Sequence, residues 1–371
     1  MALDKDYTHR RLKTLWERDD FPILDIKGNK YVLFSDLHMG DGGGADDFFP
    51  NENTLETALE YYRSNGFKLI LVGDVEDLWK FGLEEVRSRY FLTAYKAISA
   101  IGDQNVYRIF GNHDGDWDTP KVDPIKVMPV QLGIAREAIK MRDADGGVRI
   151  LICHGHQGDI DSDRGTWISR PAVRFYRLVE PILKMFGWVK QPPAIKSQII
   201  KSYEQIFYKW ARDYGVLIIC GHSHRAIFAS RSHLEECMED RGKAKAALRQ
   251  PGLSKEQIKS IKEHIRKLKK DIREEKKRGR KITPVAGKAV PGPNYFNTGC
   301  GIYNDGITAI ELTEQKIRLV KWNRRNPSTE GPNIVYGHKD LSTVLQQLKR
   351  KALGGSDSEV IRPGPSRDPL G

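Results

Sequence analysis

Cysteine is scarce in this sequence: its 371 residues contain four, and no two of them form a C-x-x-C pair. That excludes a disulfide framework and a thiolate-rich zinc site, and it suits a chain that folds in a reducing compartment. Cys153 and Cys220 each close an apolar run (residues 148–153 and 216–220), where cysteine acts as a small buried hydrophobe. No apolar stretch approaches the roughly 20 residues needed to span a bilayer. Residues 1–20 are charged and lack the apolar centre of a secretory signal. Internal repeats are missing too. The expectation is a cytoplasmic protein, with peripheral membrane contact left open.

Charge, by contrast, is plentiful. Charged residues make up 30% of the chain and hydrophobic residues 39%, enough for one large domain with insertions or two modest ones. The formal net charge is +12, and it is concentrated: between Arg241 and Val290, 18 Lys/Arg stand against 5 Asp/Glu. The rest of the chain is close to neutral. Segment 241–290 would therefore suit an anionic partner, nucleic acid or an acidic membrane surface. The plainer reading is a solvated helix face laced by i,i+4 pairs such as Glu263 with Lys267.

Short apolar, β-rich runs alternate with helical stretches in the first half. Strands are predicted over 30–35, 67–72 and 105–110, with helices over 54–65, stopped by Gly66, and 84–100. Further strands are predicted over 148–153, 216–220, 294–298, 306–312 and 316–322. Such alternation indicates a layered α/β fold with a largely buried sheet. Two insertions interrupt it. The first, 164–214, is helical and aromatic. Its residues Ile195, Ile199, Tyr203, Ile206, Trp210 and Tyr214 recur at helical spacing, which predicts a face packed on the sheet. Its aromatics (Trp167, Phe175, Tyr176, Phe186, Trp188, Phe207, Trp210) would otherwise receive an acyl chain or meet a membrane. The second insertion, 231–293, carries the basic excess. There Ser254 and Gln257 make a capping-box pattern, and Ile258, Ile261, Ile265, Leu268 and Ile272 form a short heptad-like seam, predicting a helical hairpin. The expected division is an extension (1–29), a catalytic-type domain (30–230 and 294–325), the basic insertion (231–293), and a C-terminal helix with a disordered tail (326–371).

Five polar clusters follow predicted strands: Asp36-Leu37-His38, Gly73-Asp74-Val75-Glu76-Asp77, Gly111-Asn112-His113-Asp114, His154-Gly155-His156 and Gly221-His222-Ser223-His224. Ligands of open α/β sheets gather beyond the carboxyl ends of strands, so these clusters should converge. Carboxylates, a carboxamide and imidazoles without thiolate suit a first-row divalent ion better than calcium. Taken singly, each histidine would more often be structural, and His9, His233, His264 and His338, outside the clusters, receive no role.

Taken in order, D-x-H, G-D-x-x-D, G-N-H-D, H and G-H-x-H resemble the calcineurin-like metallophosphoesterase signature over residues 36–224. The resemblance implies a four-layer α/β/β/α core with a helical lid and, in this chain, an added basic hairpin. It implies that Asp36, His38 and His224 hold one divalent metal, that Asn112, His154 and His222 hold a second, and that Asp74 bridges them. Manganese is the expected metal, with iron, zinc or magnesium as alternatives. His113 would contact the phosphoryl oxygens or protonate the leaving oxygen, oriented by Asp77. His156, Asp114 and Arg225 would lie beside the ligands or face substrate. The implied activity is hydrolysis of a phosphodiester, phosphomonoester or pyrophosphate by a hydroxide shared between the metals. A noncatalytic metal-bound scaffold and a nucleic-acid-directed phosphodiesterase are the alternatives.

Within that superfamily, Asp77-Leu78-Trp79 and Gly111-Asn112-His113-Asp114 differ from the D-R-G and G-N-H-E of phosphoprotein phosphatases. Residues 35–40, 73–79 and 154–155 are more similar to the UDP-2,3-diacylglucosamine pyrophosphatase-like group. Those lipid hydrolases usually carry arginine where this chain has His113, which weakens transfer of the lipid substrate but not of the phosphoester chemistry.

Overall fold

Residues 31–34 (YVLF) and 69–72 (LILV) are apolar at every position, which suits strands covered on both faces. The computed structural model, which describes residues 5–115, 135–158, 197–249, 254–277 and 292–352, places them at the heart of a sheet. In chain order the described strands are β1 (Ile23–Asp25), β2 (Lys30–Phe34), β3 (Lys68–Val72), β4 (Val106–Ile109), β5 (Ala138–Arg142), β6 (Val148–Cys153) and β7 (Leu217–Cys220). They continue with β8 (Ala226–Phe228), β9 (Arg231–Ser232), β10 (Tyr295–Thr298), β11 (Gly306–Thr313), β12 (Lys316–Asn323) and β13 (Ile334–Asp340). The described helices are α1 (Lys5–Glu17), α2 (Glu52–Ser64), α3 (Leu83–Tyr90), α4 (Ala94–Ser99), α5 (Ser197–Asp213), α6 (His233–Ala247), α7 (Lys255–Lys277) and α8 (Leu341–Ala352).

Two mixed sheets result. One has the order β13-β12-β11-β2-β3-β4, the other β1-β5-β6-β7-β10-β8-β9. Strand alternation decides the layering. Tyr31, Leu33, Ile70, Val72 and Ile109 point inward and meet Ile139, Met141, Ile150, Ile152, Leu217 and Ile219 of the opposite sheet. Their neighbours Val32, Phe34, Leu69, Leu71 and Val106 point outward under Leu55 and Leu59 of α2, Val86 of α3 and Ile98 of α4. Leu151, Cys153, Ile218 and Cys220 do the same on the far side, beneath Leu12 and Leu15 of α1 and Phe207 and Trp210 of α5. The order of layers is α/β/β/α, as expected. No described helix is long and apolar enough to cross a membrane.

The helix predicted over 84–100 is two helices, broken at Phe91–Thr93, where Thr93 has φ −120° and ψ −101°. In one continuous helix, residues 90 and 95 would point about 140° apart. The break allows both buried hydroxyls to reach carboxylates, Tyr90 to Asp46 (2.5 Å) and Tyr95 to Glu76 (2.8 Å). Strands β1, β5, β8, β9 and β13 were not foreseen. β1 is only three residues long, and β13 is a largely exposed edge with no apolar face to recognise.

The insertion predicted over 164–214 is described only from residue 197; Trp167, Phe175, Tyr176, Phe186 and Trp188 lie outside the described residues, as does the predicted tail beyond 352. Within α5, Tyr203, Phe207 and Trp210 are buried, so this face packs on the sheet. In the basic insertion the capping box forms: Gln257 N donates to Ser254 Oγ (3.2 Å) and Ser254 N to Gln257 Oε1 (2.8 Å). Leu268 and Ile272 of α7 then pack on Leu234 and Cys237 of α6.

Candidate metal centre

Every one of the five polar clusters leaves the C-terminal end of a parallel strand. Residues 36–38 follow β2, 73–77 follow β3, 111–114 follow β4, 154–156 follow β6 and 221–224 follow β7. Facing sheets bring these ends together. Asp36 and His38 meet His224 across the sandwich, and Asp74 meets His154 and His222, each group with ligand atoms within 4.8 Å of one another. His224 Nε2 lies 3.2 Å from Asp36 Oδ1 and 3.2 Å from His38 Nε2. Asp74 Oδ2 stands between the groups, 3.1 Å from His154 Nε2 and 3.7 Å from His38 Nε2.

Two features show that this pocket suits cations. The Asn112 Oδ1 atom is buried without a hydrogen-bond donor, which is costly for a carboxamide oxygen unless something positive faces it. His154 Nδ1 is 2.8 Å from the Val72 carbonyl oxygen, so this nitrogen donates and Nε2 is the atom turned toward Asp74. Ligating histidines are oriented in this way by a bond from the outer nitrogen.

The backbone is strained at the same places. Among the described non-glycine residues, positive φ occurs at Asp36 (51°), His38 (52°), Asp74 (52°), His222 (65°), His224 (54°), Ala229 and Ser230. Each such residue costs about 1–3 kcal/mol and persists only where its surroundings over-determine it. Here they do. Asp36 N donates to Gly73 O (3.0 Å), His38 N to Asp74 O (2.9 Å), and His222 N to the Asp36 carboxylate (2.9 and 3.0 Å). Gly111 lets the loops close up, since a methyl there would overlap Asp74 Oδ1 and its amide nitrogen.

Behind these side chains runs a buried ionic brace. Arg108, 2% exposed, pairs with both oxygens of Glu76 and lies 3.1 Å from Asp114 Oδ2. Asp114 also accepts from Gly111 N (2.5 Å) and Val75 N (2.9 Å), tying the 111–114 loop to the 73–77 loop.

His113 is held from several sides. Its Nδ1 is 2.8 Å from Asp77 Oδ1, and its amide donates to Asp74 Oδ1 (2.8 Å). The Trp79 ring stacks on its imidazole, and Lys80 Nζ lies 3.7 Å from Asp77 and 3.4 Å from Asp47.

The sequence model of one family, calcineurin-like phosphoesterase, matches residues 30–226, more than half of the chain. The chain belongs to the calcineurin-like phosphoesterase family. That family binds divalent metals and acts on phosphoesters, in keeping with the clusters just described. No curated protein and no solved structure matches the chain.

Electrostatics in the phosphoesterase site follow burial and neighbours. Burial, then His113, pushes His38 down to about 4, so it is neutral, as a metal ligand must be. Burial opposes ionisation of Asp74, but His154 and His113 outweigh it and hold the carboxyl well below the usual range. Burial likewise works against a charged His113, yet Asp77 and then Asp74 overcome it and raise its pKa.

The remaining sequence candidates sit around this centre in different ways. His156 is buried, 5.5 Å ring to ring from His154, and burial pushes it well below the ordinary histidine value. Asp114 faces the Arg108 brace rather than the ligand groups. Arg225 turns away toward the helices, pairing with Glu204 of α5 and, at 3.9 Å, Glu235 of α6. Sequence reasoning missed Trp79, Lys80 and Arg108. Trp79 and Lys80 are next to the G-D-x-x-D motif, whereas Arg108 sits within a strand and carries no local signal.

Proposed function

We propose that the protein is a dinuclear-metal phosphoesterase in which Asp36, His38 and His224 hold one divalent cation, Asn112, His154 and His222 a second, and Asp74 both. The observation that carries this reading is the position of Asp74 Oδ2, within 4 Å of a histidine from each group (3.1 Å to His154, 3.7 Å to His38). A mixed oxygen and nitrogen donor set favours manganese, with iron, zinc or magnesium as alternatives. The cations, when bound, would supply Lewis-acid charge to the phosphoryl oxygens and acidity to the attacking water.

His113 then serves the leaving oxygen. Asp77 fixes its Nδ1, which leaves Nε2 to donate toward substrate, and the raised pKa favours the proton-bearing form. Lys80, 3.7 Å from Asp77, offsets part of that carboxylate's negative charge and so moderates its pull on the imidazole proton. The narrower likeness to UDP-2,3-diacylglucosamine pyrophosphatases rests on residues 35–40, 73–79 and 154–155, and His113 stands where those hydrolases usually have arginine. The reading adopted is therefore phosphoester or phosphoanhydride hydrolysis, with the lipid substrate of that group not carried over.

The test is hydrolysis of bis-p-nitrophenyl phosphate and p-nitrophenyl phosphate by chelator-stripped protein, with Mn²⁺ restored and bound metal counted. Metal-dependent cleavage of either supports the reading, and the diester-to-monoester ratio assigns the bond class. Two bound metals with no cleavage of either would overturn turnover in favour of a scaffold.

A further inference from the structure

Helix α7 carries seven exposed cations on one face: Lys255, Lys259, Lys262, Arg266, Lys269, Lys270 and Arg273. Their spacing of three and four residues places them within a stripe about 100° wide and about 27 Å long. Glu256, Glu263 and Asp271 fall outside that stripe, and among the described residues no carboxylate pairs with any of the seven. The Glu263–Lys267 pair suggested by the sequence does not form. The carboxylates of α6 that might have neutralised the stripe are engaged elsewhere, Glu239 with Arg231 and Lys243, Asp240 with Lys243. Seven like charges aligned with no carboxylate paired to them among the described residues repel one another, which is relieved by counterions or a polyanion.

We infer that this stripe binds the phosphate backbone of a nucleic-acid duplex. Three observations select that partner. First, the apolar side of α7 is occupied, with Leu268 and Ile272 packed on α6, so the helix has no apolar face to sink into a bilayer. Second, α7 has no Phe, Tyr or Trp, so it lacks the stacking platform that single strands require. Third, a rigid row of cations about 27 Å long matches about eight base pairs of duplex at 3.4 Å per step. Contacts of this kind read charge and spacing rather than sequence. The inference does not depend on turnover at the metal centre. The two are physically linked all the same, because α6 is anchored through Glu235 to Arg225, the residue after His224.

Full-length protein would be titrated into fluorescein-labelled 20-base-pair DNA and RNA duplexes of one sequence, between 50 and 200 mM NaCl, and into phosphatidylglycerol vesicles. The expected result is duplex binding whose log–log salt slope is about −4 or steeper, from a release of about 0.9 counterions per phosphate contact. Replacing Lys259, Lys262, Arg266 and Lys269 together by Gln weakens duplex binding at least tenfold at 50 mM salt and flattens the slope by about 3.6. Lys267→Gln, on the same helix but off the stripe, changes affinity less than twofold. Both variants keep the far-ultraviolet dichroism and the p-nitrophenyl ester hydrolysis of the parent. If the fourfold variant loses helicity, Lys262→Gln and Arg266→Gln alone should each flatten the slope by about 1. Equal affinity for the two duplexes assigns the backbone alone, and a preference assigns which of the two is the natural ligand. Duplex affinity untouched by the stripe substitutions, an equal loss in Lys267→Gln, or binding to vesicles but to neither duplex would each overturn the inference.

Discussion

The Trp79 indole lies flat on the His113 imidazole, 4.1 Å between ring centres and 17° between planes, while its Nε1 donates to the Asn112 carbonyl oxygen at 2.7 Å. One side chain thus fixes both the ring proposed to assist the leaving oxygen and the backbone of the residue before it. Asp77 alone would hold His113 at one atom and leave the ring free to swing about that bond. Trp79→Ala should therefore lower kcat by about 10- to 100-fold, the scale on which small misplacements act. KM and bound metal should be little changed. Trp79→Phe, which keeps a stacking ring but loses the donor, should fall between. An unaltered kcat in Trp79→Ala would remove the positioning role.

Metal binding and proton delivery should separate by mutation. Asp74→Asn removes the carboxylate proposed to serve both ligand groups, so metal content and activity should fall together. His113→Ala should keep its metal and lose turnover by about 10²- to 10⁴-fold, the usual contribution of a general acid. Elemental analysis beside steady-state kinetics checks both. A His113→Ala protein depleted of metal would show that this histidine is structural.

The Arg108 brace predicts a stability effect larger than its single charge suggests. Arg108→Leu leaves Glu76 buried opposite Asp114 with no cation between them, and breaking a buried pair this way costs about 3–5 kcal/mol. Urea denaturation measures it. A change below about 1 kcal/mol would mean that water or a rearranged loop takes over the role of the guanidinium.

Glu311, on the outer face of β11, accepts from Tyr62 (2.9 Å) and pairs with Arg318 (3.1 Å). Burial raises its pKa, and Arg318 only partly offsets this. The folded state therefore binds the proton more tightly than the unfolded chain does. Below the unfolded glutamate pKa both states are protonated and no penalty exists. As pH rises from there through the folded pKa, stability is lost. In Glu311→Gln that loss should vanish, so the variant's melting temperature should gain on the parent's across this window and run parallel to it above. A constant difference at all pH values would contradict the assignment.

Much of the candidate site could be read from the chain because its motifs are local. Each polar cluster is a short motif placed directly after an apolar run, and strand ends are where such motifs meet. The seam and capping box of α7 were equally legible, since both depend on spacing within one helix. The layering, by contrast, was expected only from the family resemblance, because strands such as 31–34 and 69–72 are apolar at every position and show no alternation that assigns a face.

Other features were decided by contacts between distant parts of the chain. The break at residues 91–93 arises because Tyr90 and Tyr95 answer to carboxylates on separate loops, a demand no helical propensity records. β1 becomes a strand only because β5 lies beside it, and β13 only because β12 offers an edge. Positive φ at Asp36, His38, Asp74, His222 and His224 is imposed by hydrogen bonds between loops, against the preference of each residue alone. The cations of α7 are written in the sequence, but their exposure as one row is a consequence of which face α6 covers. The sequence by itself determined which polar clusters stand directly after apolar runs, because both are local features of the chain; the packing of two sheets and their helices decided which of those residues meet.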